Sequence, residues 1–193
     1  MTYETGKLIP PHGGYRQLKS YQNSEIIYDF TVAFCDKHMS YKTNKSYRMV
    51  DQMVQAARSG KQNIAEGSMA SGTSKKTELK LIGVARASLE ELLLDFEDYL
   101  RQHNLKKWSK DSPEARAVRV LAYSPHRSYK TYETYIFAPE MAANAAICLI
   151  NQANFLLDRQ LKSLEKDFLE KGGFTENLYK ARSAWRDKNI SPI

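Results

Sequence analysis

Residues 56–76 read AARSGKQNIAEGSMASGTSKK, with three glycines, four basic residues and one acid. A phosphate-cradling loop needs Gly-x4-Gly-Lys-Ser/Thr behind a strand. Counting back from Gly60-Lys61 puts Gln55 at the first glycine position, and Gln62 follows the lysine where a hydroxyl is required. The spacing of Gly67 and Gly72 is right, but Thr73 stands where the lysine belongs. No strand pattern precedes either site. The stretch therefore reads as the joint between two helices.

The flanking apolar residues agree. Met49, Val50, Met53, Val54, Ala57, Ile64 and Ala65 precede the joint, and Leu79, Ile82, Ala85, Leu89, Leu92, Leu93, Phe96 and Leu100 follow it. Both sets recur at spacings of three and four, the period of an amphipathic helix. Ser46 is the expected N-cap of the earlier helix, with Asp51 in its first turns. Gly67 is its expected stop. Thr73 or Ser74 caps the later helix with Glu78 just inside. That helix runs to about Asn104, roughly 45 Å at 1.5 Å per residue. Gly60 lies inside a helical pattern, where glycine costs about 1 kcal/mol against alanine, so close approach of a neighbouring helix is expected there. Gly83 and Ser88 are read the same way.

Two more long helices complete the pattern. Ile26, Ile27, Phe30, Ala33 and Phe34 mark one that fades into a loop at 40–46, and Ala142 to Phe168 mark another that Gly172-Gly173 ends. The expected class is all-α: an antiparallel up-down four-helix bundle, with a helical and irregular insertion between its third and fourth helices and a short C-terminal helix. Residues 1–14 read as a flexible arm, 15–171 as the bundle with the insertion at 105–138, and 172–193 as a suffix carrying a short helix at 175–187. Within the insertion, a short helix starts at Pro113, a favoured first helical position.

Composition sets further bounds. The 193 residues are 42% hydrophobic and 26% charged, enough for one packed domain. The polar start predicts no signal segment. The longest nearly apolar run, Met141–Ile150, is far short of the roughly 20 residues of a membrane span. Neither membrane attachment nor export is expected, so the expected location is cytoplasmic, with Cys35 and Cys148 as reduced core residues. Net charge is +7 and unevenly placed: residues 43–80 carry seven Lys/Arg against three acids, 105–138 again seven against three, and 81–104 two against five. Such asymmetry can attract polyanions. Glu90, Glu91, Asp95, Glu97 and Asp98 read as the outer face of the third helix.

No catalytic or metal constellation emerges. Bundle metal sites use Glu-x-x-His, and the residues three before His12, His38, His103 and His126 are Ile9, Cys35, Leu100 and Tyr123. No cofactor, metal or catalytic residue is expected. Polar residues inside the helical patterns suggest a structural network instead: Arg58, Asn63 and Glu66 on the second helix with Arg86, Ser88 and Glu91 on the third. Buried charges are tolerated only when paired, and Glu66 with Arg86 is one expected pair.

Two motifs, Asn63-Ile64-Ala65-Glu66-Gly67 and Ala85-Arg86-Ala87-Ser88-Leu89-Glu90-Glu91-Leu92, stand in order around the Ser/Lys-rich joint. Here the chain resembles the four-helix-bundle proteins related to the ribosomal-RNA intervening-sequence proteins, and the similar accessory proteins of diversity-generating retroelements. The resemblance covers residues 16–104 and 140–170. Gly60-Lys61 replaces the usual β-branched residue and proline. The insertion and tail look like the subgroup labelled "four helix bundle suffix domain". The resemblance implies a cytoplasmic, non-enzymatic bundle assembling as a ring, often a homopentamer. In the retroelement members it also implies binding of nucleic acid, RNA or DNA, and of a reverse transcriptase.

Two functions stay open. In the first, an oligomeric scaffold binds nucleic acid through basic surface, largely without sequence preference. Its candidate contacts are Lys45, Arg48, Lys61, Lys75, Lys76 and Lys80, and in the insertion Lys106, Lys107, Lys110, Arg127 and Lys130. The tyrosines beside Arg127 and Lys130 either stack on unpaired bases or seal the insertion onto the bundle. In the second, the chain is a protein–protein interaction module with no direct nucleic-acid role.

Overall fold

The computed structural model describes residues 9–39 and 44–189, with side chains from residue 47 onward in the second stretch. Six α-helices follow in order: α1 (Lys19–His38), α2 (Asn44–Ala70), α3 (Lys75–Gln102), α4 (Pro113–Val120), α5 (Pro139–Lys171) and α6 (Phe174–Asn189). Short 3-10 turns occupy Tyr15–Gln17, Leu121–Tyr123 and Tyr129–Phe137. There is no strand among the described residues. The expected loop at 40–46 lies partly outside them, and α2 already begins at Asn44, two residues ahead of the expected cap at Ser46.

The joint between α2 and α3 is a three-residue turn. Ser74 caps α3, its hydroxyl accepting from the Thr77 amide at 3.1 Å. The amides of Thr73 and Ser74 both return to the Ala70 carbonyl, closing α2. Gly67 is not the stop that its position suggested. α2 continues through it to Ala70, and Gly67 is buried against α3, where an added Cβ would stand 3.4 Å from the Glu78 carbonyl oxygen and from Ile82 Cδ1. Gly60 meets the expectation of close approach: a Cβ there would fall 2.6 Å from Leu89 Cδ2. Gly83 does not, because nothing lies within 4 Å of its virtual Cβ. The contacts of Gly67 with Glu78 and of Gly60 with Leu89 fix α2 and α3 as antiparallel.

α1 and α5 complete the core. α1 packs on α2 and α5, and α3 packs on α2 and α5. Phe30 and Phe34 of α1, Met53 and Ile64 of α2, Leu89 and Phe96 of α3, and Leu149 and Ile150 of α5 are buried together. Phe34 sets its ring edge against Phe96 and Tyr99, each at 4.9 Å between centroids. Ser20 donates to Gln160 at 2.8 Å, tying the start of α1 to the later part of α5. Residues 9–14, within the segment read as an arm, lie on the α2–α3 turn: the Gly13 amide donates to the Ser68 carbonyl at 3.1 Å, and Gly72 leaves room for the His12 ring. Residues 1–8 of that arm lie outside the described residues.

The insertion is anchored by one side chain. Asn144, 1% exposed near the start of α5, accepts from the Trp108 amide at 2.7 Å. Its amide group donates to the carbonyls of Lys106 at 2.8 Å and Glu140 at 2.9 Å. Ser112 then caps α4, accepting from the Ala115 amide, with Pro113 at its first position. Tyr132 and Ile136 are buried where the 129–137 turn packs on α1 and α5, and Tyr129 sets its edge toward Phe30. Of the two readings of these tyrosines, sealing holds for Tyr132, Tyr129 and the half-buried Tyr135.

Two stability predictions follow from the glycines and Asn144. Gly83→Ala gains helix propensity of about 1 kcal/mol with no clash, raising Tm by roughly 2–4 °C. Gly60→Ala overpacks the Leu89 contact by about 1–3 kcal/mol and lowers Tm; differential scanning calorimetry showing the same sign for both would refute this packing. Asn144→Ala removes the partners of two part-buried backbone groups outside the helix, the Trp108 amide and the Lys106 carbonyl, at about 1–3 kcal/mol for each group left unsatisfied. Amide exchange at Trp108 should accelerate in that variant, and unchanged exchange would show that the anchor lies elsewhere.

Candidate functional site

The eleven basic residues named from the sequence do not form one surface. Lys45 lies outside the described side chains. By the antiparallel register, Arg48 sits at the opposite end of the α2–α3 hairpin from Lys75, Lys76 and Lys80. The 19 residues from Arg48 to Gly67 span about 28 Å at 1.5 Å per residue. That is several Debye lengths at physiological salt, about 8 Å each, so the two groups cannot act as a single field. Several are also engaged. Lys61 lies half-buried over the Tyr28 ring at 4.2 Å. Lys75 pairs with Glu78 at 2.8 Å, and Lys107 pairs with Glu97. Arg48, Lys76, Lys80, Lys106, Lys110 and Lys130 are exposed.

The polar network is rearranged relative to expectation. Arg86 does not reach Glu66. It turns toward α5, pairing with Glu90 at 2.6 Å and with Asp158 at 3.1 Å, and Asn154 of α5 donates to the same Glu90 carboxylate. The hydrogen bonds to Glu90 and Asp158 and their charges raise the Arg86 pKa against the opposing pull of burial, the largest single influence. Arg58, Glu66 and Glu91 are exposed. Asn63 and Ser88 are linked through Ser59, whose hydroxyl is 2.9 Å from that of Ser88 and 3.1 Å from the Asn63 amide nitrogen. The physical reason is crowding: Gly60 and Gly67 bring the backbones too close for a long ion pair between them, and only short hydroxyls fit. Arg86, on the flank of α3, reaches carboxylates on its own helix and on α5.

A concavity lies elsewhere, between the first half of α1 and residues 122–129 of the insertion, with a volume of about 720 Å³. Arg16 lines it from the turn before α1, Lys19 from the start of α1, and His126 and Arg127 from the insertion. Glu25 and Asp29 line it about two and three turns further along α1. Nη1 of Arg127 is buried with no hydrogen-bond partner among the described residues, a costly state for a charged donor. His126 adopts φ 51°, the left-handed region that non-glycine residues seldom occupy. Such strain concentrates where a chain holds functional groups in place. Tyr123, 89% exposed, stands among the lining residues, with the half-buried Tyr21 and Tyr129 as aromatic walls. Burial, more than the neighbouring Glu25 and Tyr15, pushes the Tyr21 phenol up, so the ring stays neutral.

Of this cleft, the sequence reading named Arg127 as a contact and the neighbouring tyrosines, Tyr129 among them, as stacking or sealing residues. Arg16 and Lys19 lie about a hundred residues from 122–129, and no local pattern joins them. The available signal is the concentration of Tyr, His and Arg in YSPHRSY, residues 123–129.

Among the described residues, no group of three His, Cys, Asp or Glu side chains is placed to hold a metal ion, and no helix is long and apolar enough to cross a membrane. The cysteines are free. Burial pushes the Cys35 thiol up to about 12, with Asp36 and Asp95 adding to the effect, and burial also raises Cys148. Comparison of the chain with protein-family models, curated proteins and solved structures finds no match.

Because thiolate is the reactive form, neither cysteine should react with iodoacetamide in the native protein at pH 7.5. Both should react once the chain is unfolded. Rapid native modification at Cys35 would contradict its burial.

Proposed function

We propose that the chain is a non-enzymatic helical scaffold that binds an unpaired stretch of nucleic acid in the cleft between α1 and residues 122–129. The finer architecture belongs to this proposal: α1, α2, α3 and α5 form an antiparallel up-down four-helix bundle, and the insertion is clamped onto its α1–α5 side. The packing of each of these helices on two others supports that arrangement, as do the contacts of Gly60 with Leu89, Arg86 with Asp158 and Ser20 with Gln160.

The observation that carries the functional reading is Arg127, which lines the cleft together with Arg16 and Lys19 and whose guanidinium has an Nη1 without a hydrogen-bond partner among the described residues. A phosphate oxygen accepts readily from guanidinium, and Arg16 and Lys19 supply further positive charge in the same cleft. Tyr123 offers an exposed ring on which a base can stack. Glu25 and Asp29 can accept from base amino groups or ribose hydroxyls, and their charge disfavours a run of phosphates along α1. A volume of about 720 Å³ lies within the range of about 300–1,000 Å³ typical of ligand pockets. Duplex is too wide and regular to present a base here, so single strands fit better.

Titration of a fluorescent single-stranded oligonucleotide at increasing salt tests the proposal. Three phosphate contacts predict a log–log salt slope near −2, at about −0.7 per contact. Arg127→Gln should weaken binding at least tenfold and flatten the slope. The double variant Lys76→Gln/Lys80→Gln, at residues that do not line the cleft, should change it less than twofold. Equal affinity of wild type and Arg127→Gln, with both folded by circular dichroism, would refute the reading.

A further inference from the structure

α6 spans 16 residues, and none of them is buried. A helix this short is marginal in water without tertiary packing. Its apolar residues nevertheless form one stripe: Phe174, Leu178, Ala181 and Trp185 recur at spacings of four, three and four. Trp185 is 63% exposed. The junction with α5 enlarges this apolar surface. Leu169, in the last turn of α5, is 76% exposed, and a Cβ added at Gly173 would stand 3.4 Å from the Phe168 ring. Lys166 pairs there with Glu170, and Lys171 with Asp167, so the junction adds apolar area without adding net charge.

The charges of α6 are sorted about the stripe. At about 100° per residue, Arg182 falls about 70° to one side of its centre and Lys188 about 50° to the other. Arg186 and Lys180 follow at about 110° and 130° on the same two sides. The acids of the helix, Glu176 and Asp187, fall at about 170° and 150°, on the far side. All six are exposed. Cations on both edges of an apolar stripe, with the acids turned away, match a flat anionic sheet that meets the stripe and both edges together. Long cationic side chains at such edges lay their stems on apolar surface and keep their charged ends at the headgroups, and an indole suits the same boundary. The stripe is narrow, about 60° of the helix circumference, whereas a helix packed into a protein core buries about 100° or more. Shallow contact with a plane therefore fits it better than enclosure in a groove. A nucleic-acid backbone would engage the cations but offers no counterpart to Phe174 and Leu178.

We infer that α6 docks lengthwise on an anionic lipid surface, with Phe174, Leu178 and Trp185 entering the headgroup boundary and Arg182 and Lys188 meeting lipid phosphates at either edge. This needs no spanning helix. The expectation of no membrane attachment rested on the lack of a long apolar run, and a helix that lies in the interface requires none. One short stripe gives reversible attachment, because binding scales with the apolar area buried and with the attraction to anionic lipid.

Flotation of nuclease-treated protein with lipid vesicles tests this, and the state of the cleft does not affect the outcome. Wild type should bind vesicles of phosphatidylcholine with phosphatidylglycerol about tenfold or more tighter than phosphatidylcholine alone. Leu178→Gln/Trp185→Gln keeps every charge and should weaken binding about tenfold or more. Arg182→Gln/Lys188→Gln should lose most of the preference for anionic vesicles. Lys76→Gln/Lys80→Gln removes equal charge from α3 and should keep that preference. No residue of α6 is buried, so the α6 variants should keep the circular dichroism and Tm of wild type. Several results would overturn the inference: a wild type that floats with neither vesicle or equally with both, a Leu178/Trp185 variant that binds like wild type, or equal losses from the two charge variants. Without lipid, the emission of Trp185, taken as the difference between wild type and Leu178→Gln/Trp185→Gln, should be open to acrylamide quenching. Protection there would mean that a protein surface already covers the stripe, and would overturn it too.

Discussion

The close approach of α2 and α3 at Gly60 and Gly67 is the constraint on which the rest of the structure rests. Leu89 fills the space that a Cβ at Gly60 would need, and Gly67 is buried where a Cβ would stand 3.4 Å from Ile82 and the Glu78 carbonyl. With the two backbones this close, the interface has no room for long polar side chains. Its polar contacts shrink to the Ser59–Ser88 hydroxyl pair and the Asn63 amide. Arg86 is left on the flank of α3, where it pairs with Glu90 and Asp158 and links α3 to α5. The exposure of these groups keeps the ion pairs modest in energy, on the order of 1 kcal/mol or less each. They serve orientation more than stability.

The second constraint is Asn144. By satisfying the Trp108 amide and the Lys106 carbonyl, this buried side chain fixes where the chain leaves α3 and crosses to α5. Tyr132 and Ile136 then hold the end of the insertion against α1 and α5. Between these anchors, residues 122–129 bulge over the first half of α1, and the cleft is what remains beneath them. The proposed site is thus a product of how the insertion is pinned at both ends.

Much of the fold was legible in the sequence because helices announce themselves by period. The Leu79–Leu100 stripe, the Ser74 cap, Pro113 at the start of α4 and Gly172 at the end of α5 all express local chemistry, and all lie where that chemistry put them. Gly67 misled because a glycine suits both a helix end and a helix crossing, and only the partner helix decides between them. Glu66 with Arg86 misled for a related reason: spacing along a helix gives the face of a residue, but not the distance across the interface. The cleft was nearly invisible. It joins Arg16 and Lys19 to His126 and Arg127 across about a hundred residues, and its telling feature, a buried donor without an acceptor, is a property of three-dimensional packing. The basic residues that were visible turned out to be scattered over both ends of the molecule or engaged by Glu78, Glu97 and the Tyr28 ring.

The account's central claim is that the cleft, and not the lysines at the helix ends, meets the nucleic acid. Hydrogen–deuterium exchange on the full chain, with and without a saturating single-stranded oligonucleotide, addresses it most directly. The account predicts slowed exchange confined to residues 16–29 and 121–129, with residues 47–50 and 75–80 unchanged. Protection at the helix ends with an unaltered cleft would contradict it.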